Sequence, residues 1–275
     1  MDINTTGDES PSRPVKAVCE QDWPALLGIS VTCFFAIIFW AVYEQQGNTV
    51  QLFAVNYSDM MILPGVQIPS TWIQSLNPLF ILGLIPLTNK FWAWQGEHEP
   101  SSVMKMAIGT LISAASYVFM AIAAGSAGED GGRCSVWWLI LGILALTVGE
   151  IYASPVGLSF VTKASPPELV SAMMGLWFLA SGMGGYLAGE IGALYGEMPK
   201  VSFFFLVMAV GGANGLCMCL FVPCINRTLD RKQLDEMARG ELEGFVETQL
   251  NEFETIPSLE VVDAEPGDAS SAQAV

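Results

Sequence analysis

The residues best suited to chemistry in this chain lie in Gly149–Ser159, GEIYASPVGLS, inside an apolar run from about Val136 to Val161. A run of that length reads as a membrane-spanning helix, yet it carries a carboxylate, Glu150, and a Ser154–Pro155 step. A charge at membrane depth costs roughly 2.5–3.5 kcal/mol on insertion scales, so such a residue normally faces a cavity or a partner. Glu150 and Ser154 are four residues apart and share one helix face. Pro155 has no N–H to offer the Ile151 carbonyl, which frees that oxygen on a kinked segment. A carboxylate, a hydroxyl and a bare carbonyl in one place read as a site. The alternative is a Glu150 solvated at the interfacial end of its helix.

Three further groups have comparable potential. Phe39–Thr49, FWAVYEQQGNT, places Trp40 and Glu44 four apart, with the Gln45 amide beside the carboxylate. An interfacial glutamate below a Trp and Tyr belt is the competing reading. Asn77 precedes Pro78 in TWIQSLNPLF, and a membrane Asn must hydrogen-bond, either across helices or to a ligand. Trp177 and Ser181 again share a face, in MMGLWFLASGMGGYLAGEIG, where Gly182, Gly184, Gly185 and Gly189 form a surface for close helix approach. Glu190 reads as interfacial. No nucleophile–base pair or metal-ligand cluster is present, and the single histidine, His98, sits in the loop GEHEP. Cys217-Met-Cys219 has no second pair to make a metal site. An enzyme is therefore the weakest class.

The elements that must position these residues are helices. The chain has 275 residues, is 52% hydrophobic and only 14% charged, with mean hydropathy +0.47. Soluble domains carry about 25% charged residues, so the composition is that of an all-α membrane protein. Six runs are long and apolar enough to span: Pro24–Tyr43, Ile73–Trp94, Met104–Gly125, Val136–Val161, Val170–Tyr195 and Val201–Cys224. Ten-residue alternation of the β-barrel kind is not seen. The expected organisation is an N-terminal segment 1–22, a six-helix bundle 23–225 and an acidic tail 226–275. The tail holds half of the net charge of −16 and reads as largely disordered, with a short amphipathic helix open over Asn226–Phe253.

Orientation follows from Lys and Arg. With the first helix starting inside, Arg13, Lys16, Lys90, Lys105, Lys163, Arg227, Arg231, Lys232 and Arg239 fall inside, and only Arg133 and Lys200 fall outside. That bias puts both termini in the cytoplasm. It leaves Cys134 as the one cysteine in an outer loop, so no intrachain outer disulfide is expected.

FWAVYEQQG, QSLNPLFI, GEIYASPVGLSFVTK and MMGLWFLASGMGGYLAG, in that order, resemble the seventh, eighth, tenth and eleventh helices of the proton-dependent oligopeptide transporter family of the major facilitator superfamily. The resemblance covers about Asp22 to Arg227. It implies the C-terminal six-helix half of a major facilitator superfamily fold and proton-coupled symport of di- and tripeptides in a plasma membrane. On this resemblance Glu44 is the proton-coupling acid, Asn77 contacts the peptide, and Glu150 receives its N-terminal ammonium. Trp40, Ser154, Trp177 and Ser181 line the cavity. No cofactor is implied beyond a proton gradient, and no nucleic acid. The implied partners are small peptides, protons, the lipid bilayer and an N-terminal six-helix half on the same or a separate chain. The family's E-x-x-E-R-F-x-Y-Y signature and its basic cluster are not found here, so the chain is expected to be incomplete or one of two split chains. Two alternatives keep the bundle: a carrier of nitrate or another small solute, and a non-transporting binding or regulatory subunit.

Overall fold

The structure, a computed structural model, describes residues 14–128 and 132–254. Seven α-helices run in order: α1 (Val15–Tyr43), α2 (Thr49–Tyr57), α3 (Trp72–Gln95), α4 (Ser102–Ala127), α5 (Trp137–Ala164), α6 (Val170–Ala193) and α7 (Lys200–Glu254). The chain divides into two compact units, Met1–Lys232 and Gln233–Val275. The second is helical over its described residues, so a helix covers Asn226–Phe253. The disorder expected for the end of the tail falls outside the described residues.

Among the described residues, five stretches are long and apolar enough to cross a membrane: Asp22–Tyr57, Ser102–Ala127, Trp137–Ala164, Pro167–Gly196 and Lys200–Thr228. The helix expected over Ile73–Trp94 does form, as α3, and at 1.5 Å per residue its 24 residues reach about 36 Å. It is not among the five. Gln74, Asn77, Asn89 and Lys90, with two prolines, dilute its apolar character. The loop before α3 holds small strands. Met61–Leu63 (β2) pairs antiparallel with Val66–Gln67 (β3), and Ser58–Asp59 (β1) pairs in parallel with Cys134–Ser135 (β4). Cys134 is thus buried against the Ser58 hydroxyl at 3.4 Å and is a free thiol.

The tightest packing fixes the rotation of α5. A Cβ on Gly149 would stand 2.2 Å from Ser113 Oγ and 2.6 Å from the Gly109 carbonyl of α4, so two backbones meet where only glycine fits. Ser113, Ser116 and Tyr117 are buried on α4. Similarly, Trp177 of α6 lies over Gly157, whose added Cβ would come within 2.2 Å of the indole. The close α1–α6 approach is made by Gly184, 2.4 Å in the same sense from Trp40 Cβ. Gly182, Gly185 and Gly189 face open space, so among the described residues three of the four glycines expected to form a surface for close helix approach make no such contact.

Two buried clusters fill the bundle. One centres on Phe53, Tyr117, Phe203 and Phe204, the other on Ile29, Met106, Phe160, Trp177 and Met218. Leu79 and Leu82 of α3, Phe178 and Tyr186 of α6, and Leu216 and Leu220 of α7 are all more than 60% exposed. Apolar surface on that scale matches a hydrocarbon environment better than water.

Candidate functional site

The first group is placed by an interruption at the end of α1. The α-helical hydrogen bonding of α1 gives way after Tyr43 to a 3₁₀ turn, Glu44–Gln46, leading to Gly47 and Asn48, poor helix formers. The Tyr117 hydroxyl donates to the Val42 carbonyl at 2.6 Å and pins that last turn. Gln45, expected beside the Glu44 carboxylate, instead points the other way. It is fully buried, its Nε2 donates to the Ala188 carbonyl of α6 at 2.8 Å, and its Oε1 accepts from Thr49 at 2.9 Å. Glu44 is left exposed.

With Gly149 pressed on α4, Glu150 turns toward α1 and α3. Asn77 Nδ2 donates to Glu150 Oε2 at 2.8 Å, and lies 3.2 Å from the Tyr43 hydroxyl and 3.3 Å from Thr147 Oγ1. Its two amide hydrogens are thus divided among three acceptors. Thr147 in turn donates to the Ile143 carbonyl at 2.8 Å. Asn77 is buried and Glu150 is half-buried. The carboxylate therefore sits inside a polar cluster built from three helices, not at a solvated helix end. Glu44 follows Tyr43 directly in the chain, and the Tyr43 hydroxyl is 3.2 Å from the same Asn77 amide that donates to Glu150.

The other expected site residues form an adjoining recess. Trp40, Ser154, Pro155, Leu158, Trp177, Phe178 and Ser181 line an open recess of about 320 Å³. Trp40 joins the two parts, its ring edge-on to Tyr43 with centroids 5.4 Å apart. Its indole Nε1 is buried without a hydrogen bond. Glu150 and Ser154, one turn apart on α5, face the cluster and the recess respectively. Six of the seven expected residues are thus brought to one strip, with Asn77 and Glu150 in direct contact, while Glu44 is exposed one residue after Tyr43. Tyr43 and Thr147 were not singled out from sequence. The only available signal was spacing: Tyr43 lies three residues after Trp40, and Thr147 three before Glu150.

Among the described residues no group of His, Cys, Asp and Glu could hold a metal ion. A bundle of membrane-length helices, with a buried carboxylate–amide cluster opening onto an aromatic recess, has the layout of a multi-pass membrane carrier. Residues 12–209 match the POT family (PTR2), and the chain belongs to that family. The peptide transporter YePEPT of Yersinia enterocolitica is 40% identical over 171 residues, 59% of this chain and 33% of that protein. A di-/tripeptide transporter of Lactococcus lactis subsp. cremoris is 32% identical over 188 residues, 67% of this chain and 38% of the relative. Among solved structures, a POT family transporter in complex with 5-aminolevulinic acid superposes with a TM-score of 0.69 at 27% identity, over 76% of this chain and 43% of the other. A peptide transporter POT carrying an E310Q substitution gives 0.68 at 25% identity, over 80% and 43%. The chain is therefore an integral, multi-pass membrane protein of a transporter family, and it spans between a third and a half of the relatives it matches.

Proposed function

We propose that this chain supplies the C-terminal, six-helix half of a proton-coupled symporter of di- and tripeptides, with α3 as the sixth spanning helix. The observation that carries this reading is the Glu150–Asn77–Tyr43–Thr147 cluster beside the aromatic recess. An α-amino group entering a low-dielectric cavity needs a fixed anion, and Glu150 provides one within an ordered hydrogen-bond shell. Asn77 fixes that carboxylate and is placed to meet the peptide backbone. Trp40, Ser154, Trp177 and Ser181 receive a peptide side chain in the recess. Glu44, exposed at the end of α1, is the proton acceptor. Protonation of one carboxylate alters the field at the other, which couples proton and cargo.

The relatives described as peptide transporters support the cargo class, and the 5-aminolevulinic acid complex is a second case of an amine-bearing ligand on this fold. The positive-inside bias supports cytoplasmic termini. A site with a second wall is completed by the N-terminal half, on this or another chain. The test is uptake of a labelled dipeptide into proteoliposomes under an inward proton gradient. The chain is reconstituted alone, and together with the N-terminal half of the Yersinia relative. Uptake only in the combined vesicles is expected; gradient-independent leakage in both preparations would refute the reading.

A further inference from the structure

α3 carries the amide of the site, yet its only buried residues are Ile73 and Asn77. Pro78 and Pro86 each remove a backbone hydrogen bond, so the helix beyond Asn77 is weakly held by its own ladder. From Ile81 to Phe91 every residue is half-buried or exposed, and α3 packs on α5 with only sparse contact to α2. Firm contact returns at Trp92. Its ring meets Tyr152 of α5 edge-on, with centroids 5.2 Å apart and planes at 77°. From the first turn of α4, Lys105 Nζ lies 3.9 Å from the centre of the same ring and pairs with Glu99 in the α3–α4 connection.

Lys105 is only 7% exposed. A cation near a helix N-terminus opposes the helix dipole, and its burial costs hydration, so helix stability does not account for it. Its own base is fixed. Ser101 Oγ accepts the Met104 N–H at 3.3 Å and Asn226 Nδ2 at 2.9 Å, tying the start of α4 to α7. Trp92 Nε1 and Gln95 Oε1 are buried without hydrogen bonds, so the cation and the ring stack carry this attachment.

We propose that Lys105 is a positioning residue: it clamps the C-terminal end of α3 to α4 and α5 and thereby holds Asn77 in register with Glu150. Its consequence for cargo rests on the site reading above, whereas the clamp itself is measurable without cargo. Charge-neutral Lys105→Met, conservative Lys105→Arg and Trp92→Leu, which alters the other side of the contact, are compared with the parent chain in lipid nanodiscs by hydrogen–deuterium exchange. Exchange over residues 87–98 rises about tenfold in Lys105→Met and Trp92→Leu and stays at the parent rate in Lys105→Arg. Unchanged exchange in Lys105→Met, or an equal rise in Lys105→Arg, overturns the clamp.

In dipeptide binding to the assembled transporter, Lys105→Met and Asn77→Ala have non-additive effects on Kd, while Lys105→Met and Ser181→Ala add. Additivity in the first pair overturns the positioning role. A parent that shows the clamp in exchange but binds no dipeptide refutes the transport reading and leaves the clamp supported.

Discussion

Replacing Glu150 by Gln removes one charge while keeping a carbonyl that can accept from Asn77 Nδ2, now 2.8 Å from Glu150 Oε2. The cluster with Tyr43 and Thr147 therefore persists, and the perturbation is electrostatic. For an ammonium about 4 Å from the carboxylate at an effective dielectric of about 20, the attraction is about 4 kcal/mol. Glu150 is only half-buried, so part of this is screened; about 2.8 kcal/mol remains, which is roughly 100-fold in affinity. The assay is competitive binding of two ligands to the assembled transporter in nanodiscs, dialanine and its analogue lacking the α-amino group. Dialanine loses about 100-fold on Glu150→Gln, whereas the desamino analogue binds parent and variant alike. Equal loss for both ligands would mean that the substitution acts on the fold. No loss for either would place the ammonium elsewhere. Either result would refute the reasoning.

Gln45→Leu removes the shorter partner of both the Ala188 carbonyl and the Thr49 hydroxyl, leaving them the longer bonds to Asn48 and to the residue-45 carbonyl, and costs about 1 kcal/mol, lowering Tm by about 2–4 °C in detergent thermal unfolding. Gly157→Ala drives Trp177 toward the recess, because the new methyl would lie 2.2 Å from the indole; at a packing cost of about 1–3 kcal/mol, dipeptides with bulky side chains lose more affinity than dialanine. Burial pushes the Cys134 thiol up, with partial relief from the Ser58 hydrogen bond, so thiolate is scarce at neutral pH. In a variant holding only that cysteine, iodoacetamide reacts at pH 7.5 roughly tenfold more slowly than with free cysteine. Glu44→Gln abolishes gradient-driven accumulation in proteoliposomes while peptide exchange between the two sides persists.

The helices were legible because length and apolarity are local properties. The first run was read to end at Tyr43, where α1 does end, and α5 begins one residue from the expected start. The carboxylate at Glu150 stood out by its cost at depth, and Asn77 by the same argument; that the two would meet was beyond the sequence, since it depends on how α3 docks on α5. Gln45 was misplaced because neighbours in sequence are not neighbours on a helix surface: successive side chains diverge by about 100° on an α-helix and about 120° on a 3₁₀ turn. The glycine surface on α6 was visible, but which glycines touch α1 is set by helix rotation: Gly184 does, Gly185 and Gly189 do not. The β1–β4 and β2–β3 pairs are two or three residues long, too short to show any alternation. Lys105 read as one more cytoplasmic charge, and only the fold brings Trp92 over it.

The central claim is that Glu150 holds the peptide ammonium. Its most direct measurement is solid-state NMR dipolar dephasing between a dipeptide with a ¹⁵N α-amino group and ¹³C-carboxyl-labelled glutamates in the assembled transporter. One strong contact is expected, with nitrogen within about 4 Å of the Glu150 carboxyl carbon, that vanishes in Glu150→Gln. A contact that survives in that variant and vanishes in Glu44→Gln would contradict it.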